Sequence, residues 1–185
     1  MIDDVIKDLQ SHMVKAHEAL KRDLAKLRTG RANASMLDGV RVDYYGTPTP
    51  LSQMATVSVP EARLLTVNPW DRSQVKAVEK AIREASLGLN PQPDADLIRI
   101  PIPALTEERR KDLVKVARKN GEESKVAIRH GRHDALKMLK DAVDEGEIPA
   151  DDHDRAVKKV EEVVAEGVKG VDTILTHKEK DIMEV

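Results

Sequence analysis

The chain has 185 residues, with 31 Lys or Arg against 33 Asp or Glu, a net charge of −2, and neither Cys nor Phe. That length gives room for one or two domains with a real core, and the missing cysteine excludes a disulfide framework and thiolate metal sites, as suits a reducing cytosol. No apolar run approaches the ~18 residues of a membrane span, and the acidic, helix-patterned opening MIDDVIKDLQ is unlike a signal or transit peptide.

Residues 1–28 read as one long helix. Ile2, Leu9, Ala16 and the pair Asp23/Leu24 mark one heptad position, and Ile6, Met13, Leu20 and Leu27 mark the other. Gly30, in RTGRAN, ends it. Residues 31–104 then change character. Val40, Val42 and Tyr44 alternate with Arg41 and Asp43, the period-two pattern of a half-buried strand. GTPTP is expected to form a loop, with short β-rich runs at 56–59 and 64–67 on either side of Pro60. Asp71 is placed to cap a helix that buries Val75, Val78, Ile82 and Ala85, and LGLNP breaks that helix. Residues 97–102 form a last strand, with Pro101 and Pro103 demoting its end to an edge. Tyr44, Tyr45 and Trp70 all fall in this segment, whose core is expected to use at least some of them.

Residues 105–147 run without a proline. Thr106 stands as N-cap, followed by Glu107 and Glu108, where the helix dipole favours acid. Leu113, Ala117, Asn120, Ser124, Ala127, Gly131, Ala135, Met138 and Ala142 recur at steps of three and four, a period close to 3.5. A helix of that length is a rod of roughly 60 Å. Lys111, Lys115, Arg118, Lys125, Arg129 and Arg132 also follow at helical steps, interrupted by Glu122. Between residues 109 and 133 there are nine Lys or Arg, Arg110 among them, against three acids. Paired charges along a helix mix signs, so this one-signed surplus reads as a polyanion-binding stripe, most simply for nucleic acid. His130 and His133 flank its arginines and belong to the same basic face rather than to a metal site.

Gly146-Glu147-Ile148-Pro149 turns the chain tightly into a third long helix over residues 150–183. Its seam is Val157, Val160, Val164, Gly167, Val171, Ile174 and Ile182, with Lys178 interrupting. Three helices, each with one apolar stripe, bury those stripes against one another. The expected architecture is α+β: an elongated antiparallel three-helix bundle from residues 1–30 and 105–185, with a small α/β domain of residues 31–104 inserted between its first two helices. The crossings hold Gly30, Pro101, Pro103 and Ala104, which serve as a hinge, and the two parts are expected to form an L.

Enzyme chemistry has nothing to stand on. There is no Gly-rich phosphate loop, nucleophile elbow or HExxH, and the acids at 151–154 open a helix without EF-hand spacing, so no cofactor or metal is expected. The rod carries no aromatic residue for base stacking, which favours recognition of phosphates and RNA shape. A coiled-coil adaptor would show an exposed apolar stripe and binding insensitive to salt. A general RNA chaperone would show no dependence on a translational GTPase.

RTGRA at 28–32, DYYGTPTPL at 43–51, LTEERRKDL at 105–113 and VAIRHGRHDA at 126–135 resemble, in order along the whole chain, the ribosome recycling factor family. The resemblance implies a cytoplasmic, monomeric, non-enzymatic translation factor. It would lie on large-subunit ribosomal RNA and, with elongation factor G and GTP hydrolysis by that partner, split post-termination ribosomes to free messenger RNA and tRNA. It also implies that Arg129 and Arg132, together with Arg28 and Arg31, contact ribosomal RNA. The basic-face reading adds Arg110, Lys111, Arg118, Lys125 and His133.

Overall fold

The computed structural model describes residues 1–184. In chain order its elements are α1 (Ile2–Ala25), β1 (Arg41–Tyr44), β2 (Thr47–Pro50), β3 (Ala55–Glu61), β4 (Leu64–Pro69), α2 (Val75–Glu84), β5 (Gln92–Asp94), β6 (Leu97–Pro101), α3 (Glu107–Asp144) and α4 (Ala150–Met183). They form two compact units, Met1–Arg28 with Glu107–Val185, and Thr29–Thr106.

In the first unit each of α1, α3 and α4 packs against the other two. All three open with acids in the first turn (Asp3 and Asp4, Glu107 and Glu108, Asp151 and Asp152), where the dipole's positive end stabilises them. The turn from α3 to α4 is a Schellman motif: Glu147 N–H donates to the Ala142 carbonyl at 2.8 Å and Gly146 N–H to Val143 at 3.0 Å. Gly146 takes φ +74°, a left-handed conformation that a side chain disfavours.

The stripe of α1 falls on Ile6, Leu9, Met13, Ala16, Leu20 and Leu24 as expected, with Val5 added. The stripe of α3 differs from the expected seam. Gly121, Ile128 and Leu139 are buried where Asn120, Ala127 and Met138 were expected, and Met138 is 53% exposed. The period is the same as that of the expected seam, since both run from Leu113 to Ala142 in eight steps; three positions each move one residue on, which turns the stripe by about 30° around the helix. In α4, Ala156 and Val163 are likewise buried in place of Val157 and Val164, which are half-buried. Lys178 interrupts that stripe and is half-buried. Its ammonium donates to the Leu27 carbonyl at 3.4 Å, and burial holds its pKa below the usual lysine range.

The corrected phase explains glycines inside the rod. A Cβ at Gly121 would run into the Leu175 side chain of α4, and one at Gly131 would lie 2.6 Å from the His12 ring of α1. His12 Nε2 donates to the Ala127 carbonyl at 2.9 Å, so the ring lies over the glycine and bonds the helix backbone beside it. In an open helix, Gly→Ala would stabilise by about 1 kcal/mol. Gly121→Ala is expected to do the opposite, destabilising by about 1–3 kcal/mol through overpacking, as read by thermal melting.

The second unit holds two antiparallel sheets, β1-β2 and β3-β4-β6-β5. GTPTP is not a loop: Thr47–Pro50 is β2, pairing Val42 with Thr49 and Tyr44 with Thr47. Pro48 and Pro50 sit opposite Asp43 and Arg41, alternate positions at which this ladder exchanges no hydrogen bonds, so the missing N–H groups cost it nothing. The last strand, β6, is interior, between β4 and a short β5 that sequence reading missed. Because β5 reaches only to Arg99, Ile100 and Pro101 keep one open edge, where the proline is tolerated. Asp71 caps a 3₁₀ turn leading into α2, accepting from Ser73 Oγ at 2.7 Å and Ser73 N at 3.0 Å. Those bonds lower its carboxyl pKa.

The core of this unit is aliphatic, built on Val42, Leu51, Leu65, Val67, Ile82, Ile98 and Ile100. Of the three aromatic residues of which at least some were expected in the core, one contributes to it. Tyr45 is 75% and Trp70 66% exposed, while Tyr44 packs against the core from its rim.

Candidate nucleic-acid interface

The basic residues of α3 do not share one environment. With 3.6 residues per turn, Arg118, Lys125 and Arg132 come to the flank of the rod that meets α4. Arg118 Nε reaches Glu179 at 2.8 Å, Lys125 Nζ reaches Asp172 at 2.9 Å, and Arg132 grips Glu161 with Nε at 2.9 Å and Nη2 at 2.6 Å. These pairs form a ladder along the α3–α4 groove. Hydrogen bonds from Arg132 hold the Glu161 carboxyl below its ordinary range, and the same pair raises Arg132. The pair's contribution to stability is therefore present at neutral pH and is lost only as pH falls through that lowered value. Both side chains are nearly half exposed, at 43% and 45%, so the contribution is small. Lys111 pairs with Glu107 at 2.9 Å within α3. The one-signed surplus along α3 is thus partly balanced by acids of α4.

Opposite the buried stripe lie Lys115, Lys119, Arg129, His133 and Lys137, all exposed. Among the described residues, none of these is engaged in an ion pair or side-chain hydrogen bond. Arg129 stands on the boundary, three residues from Arg132 and four from Lys125, with its guanidinium uncommitted. Lys119 and Lys137 were missed in the sequence because the expected seam lay about 30° around the helix from the buried stripe, which drew the basic stripe toward the α4 flank. Phased on Gly121, Ile128 and Leu139, the same arithmetic puts both lysines opposite the core.

Arg110 does not share this face. It precedes Leu113 by one turn on the side of the buried stripe, is half-buried, and keeps its Nε buried with no hydrogen-bond partner. His133 is exposed as expected, and so is His130. Arg28 and Arg31 are exposed at the first crossing. Gly30 there takes φ +78°, with Leu105 packed 3.2 Å from where its Cβ would be, so the two crossings run side by side. Pro101 lies in β6 opposite Leu64, and the next residue, Ile102, donates its N–H to the Arg63 carbonyl at 2.9 Å. Both are fixed in the sheet, leaving Pro103 and Ala104 as the second crossing outside regular structure.

No helix among the described residues is long and apolar enough to cross a membrane. What the α3 surface offers is a line of mobile cations above a rigid rod, able to neutralise a series of phosphates without reading bases.

Comparison with known proteins gives the family. A model of the family described as "Ribosome recycling factor" matches residues 20–183. The ribosome-recycling factor of Sorangium cellulosum is 64% identical over 185 residues, covering all of both chains. That of Myxococcus xanthus is 50% identical, again over the full length of both. Among solved structures, a ribosome recycling factor determined in solution matches with a TM-score of 0.71 and 38% identity, over 100% of this chain and 98% of the other. A recycling factor of T. thermophilus, described together with E. coli elongation factor G bound to the E. coli post-termination complex, matches with a TM-score of 0.61 and 43% identity over 99% of each.

Proposed function

Because this chain belongs to the ribosome recycling factor family, we propose that it is the cytoplasmic translation factor that disassembles post-termination ribosomes together with elongation factor G and GTP. In this reading it binds ribosomal RNA of the large subunit as a monomer, and the partner GTPase performs the hydrolysis. Messenger RNA, tRNA and subunits are released for another round.

The observation that carries the RNA-binding surface is the row of unpartnered cations on α3, centred on Arg129. A phosphate approaching Arg129 displaces only water. One approaching Arg118, Lys125 or Arg132 must first draw the side chain from its α4 acid. Lys115, Lys119, Arg129, His133 and Lys137 therefore make the primary contacts. Arg132 and Lys125 join where the RNA runs along the groove, and Arg28 and Arg31 make further contacts of their own. Movement between the units pivots at Gly30 and at Pro103–Ala104, because Pro101 is held in the sheet.

Light scattering from purified post-termination ribosomes tests the activity. Scattering is expected to fall as subunits separate only when this protein, elongation factor G and GTP are all present. Splitting without the GTPase would favour a general RNA chaperone. No splitting with all three components would defeat the recycling reading.

A further inference from the structure

The inserted unit displays an aromatic residue where turn chemistry calls for a different one. Tyr45 and Gly46 join β1 to β2 and take φ +48° and +83°. Two left-handed residues in a two-residue hairpin make a type I′ turn, for which Asn-Gly or Asp-Gly is the favoured sequence. A bulky side chain at the first position is strained, because its Cβ crowds the following carbonyl. No packing compensates: the Tyr45 side chain is 75% exposed. Its one ring neighbour is Tyr44, edge to face, with centroids 4.6 Å apart and planes at 76°. Tyr44 packs against the aliphatic core, so it braces the outer ring from behind. The result is an aromatic ring held in solvent at a hairpin tip, with one ring behind it.

From this geometry we infer that Tyr45 is a stacking contact for an unpaired ribosomal RNA base. The rod can neutralise phosphates but has no Phe, Tyr or Trp, so the large stacking rings of the chain all lie in the inserted unit. A braced ring loses little freedom on binding, and stacking tolerates any base. This inference rests on the proposed ribosomal function, since that particle supplies the RNA.

Three variants of the full chain test it. Tyr45→Asn is expected to raise the melting temperature by a few degrees, because Asn suits the turn, while weakening ribosome binding roughly tenfold. Tyr45→Phe should keep both parent properties, since it keeps the ring. With p-benzoylphenylalanine in place of Tyr45, irradiation on post-termination ribosomes should give a cross-link to ribosomal RNA. Cross-linking to ribosomal protein alone would overturn the inference, and so would a Tyr45→Asn variant that binds and splits ribosomes like the parent. A parent that neither binds nor splits ribosomes would instead bring down the recycling reading, and this contact with it.

Discussion

Leu20→Asp is expected to abolish the helical signal of the three-helix unit while leaving the fluorescence of Trp70 close to that of the parent. Leu20 is 2% exposed, in the buried stripe of α1, a helix that packs against both α3 and α4. The substitution removes a buried leucine, worth about 2–5 kcal/mol, and leaves an unpaired carboxylate that costs several more. Together these rival the whole stability of a domain, about 5–15 kcal/mol. Trp70, the single tryptophan, lies in the other unit, where it hydrogen-bonds Thr56 at 2.9 Å beside a separate core. It therefore reports on that unit alone. Val14→Asp on the same helix is the control: Val14 is 55% exposed, and the change should stay within about 0.5 kcal/mol. Val164, half-buried at the edge of the α4 stripe, should give an intermediate loss. Cooperative melting of Leu20→Asp near the parent temperature would mean that α1 does not complete the bundle core.

The largest functional effect is expected at Arg129. Arg129→Glu should weaken binding to the large subunit by about tenfold or more, because a charge-assisted hydrogen bond of about 1.5–3 kcal/mol is replaced by repulsion. Its melting should not change, since Arg129 is exposed and makes no ion pair. Arg132→Ala should cost less binding, because Glu161 already holds that guanidinium. It should also lower stability by up to about 1 kcal/mol, as loss of a partly exposed pair does. Glu161→Gln then has an unusual expected sign. Freed of its acid, Arg132 becomes available to phosphate, so binding should tighten while stability falls slightly. Filter binding and thermal melting on the same preparations separate these cases. If Arg132→Ala proved far more damaging to binding than Arg129→Glu, the groove rather than the outward face would be the contact surface.

What the sequence reveals and hides follows from the range of each interaction. The long helices are legible because stripes and caps are local: the third expected helix, 150–183, coincides with α4. The phase along the rod is less legible. Alanine and glycine dominate its stripe, so Asn120 and Gly121 compete as seam residues with little contrast in hydrophobicity. Gly121 makes sense only once Leu175, far along the chain, is brought against it. The ladder of Arg118, Lys125 and Arg132 with α4 acids is invisible for the same reason, since charge counted along one helix omits its neighbour. In the inserted unit, the prolines of GTPTP argue for a loop until the hairpin register puts them at positions that need no N–H. Tyr45 looks like core material until its left-handed backbone turns it outward.

The central claim, that exposed cations of α3 hold large-subunit RNA, is tested most directly by the salt dependence of binding. The parent should be compared with a variant in which Lys115, Lys119, Arg129 and Lys137 are all alanine. For the parent, the logarithm of affinity should fall steeply and linearly with the logarithm of salt concentration. For the variant the slope should be shallower by about 0.7–0.9 per phosphate contact removed, roughly three in all. Circular dichroism should show the two folded alike. Equal slopes and equal affinities would contradict the account, and would place the ribosome contact elsewhere on the protein.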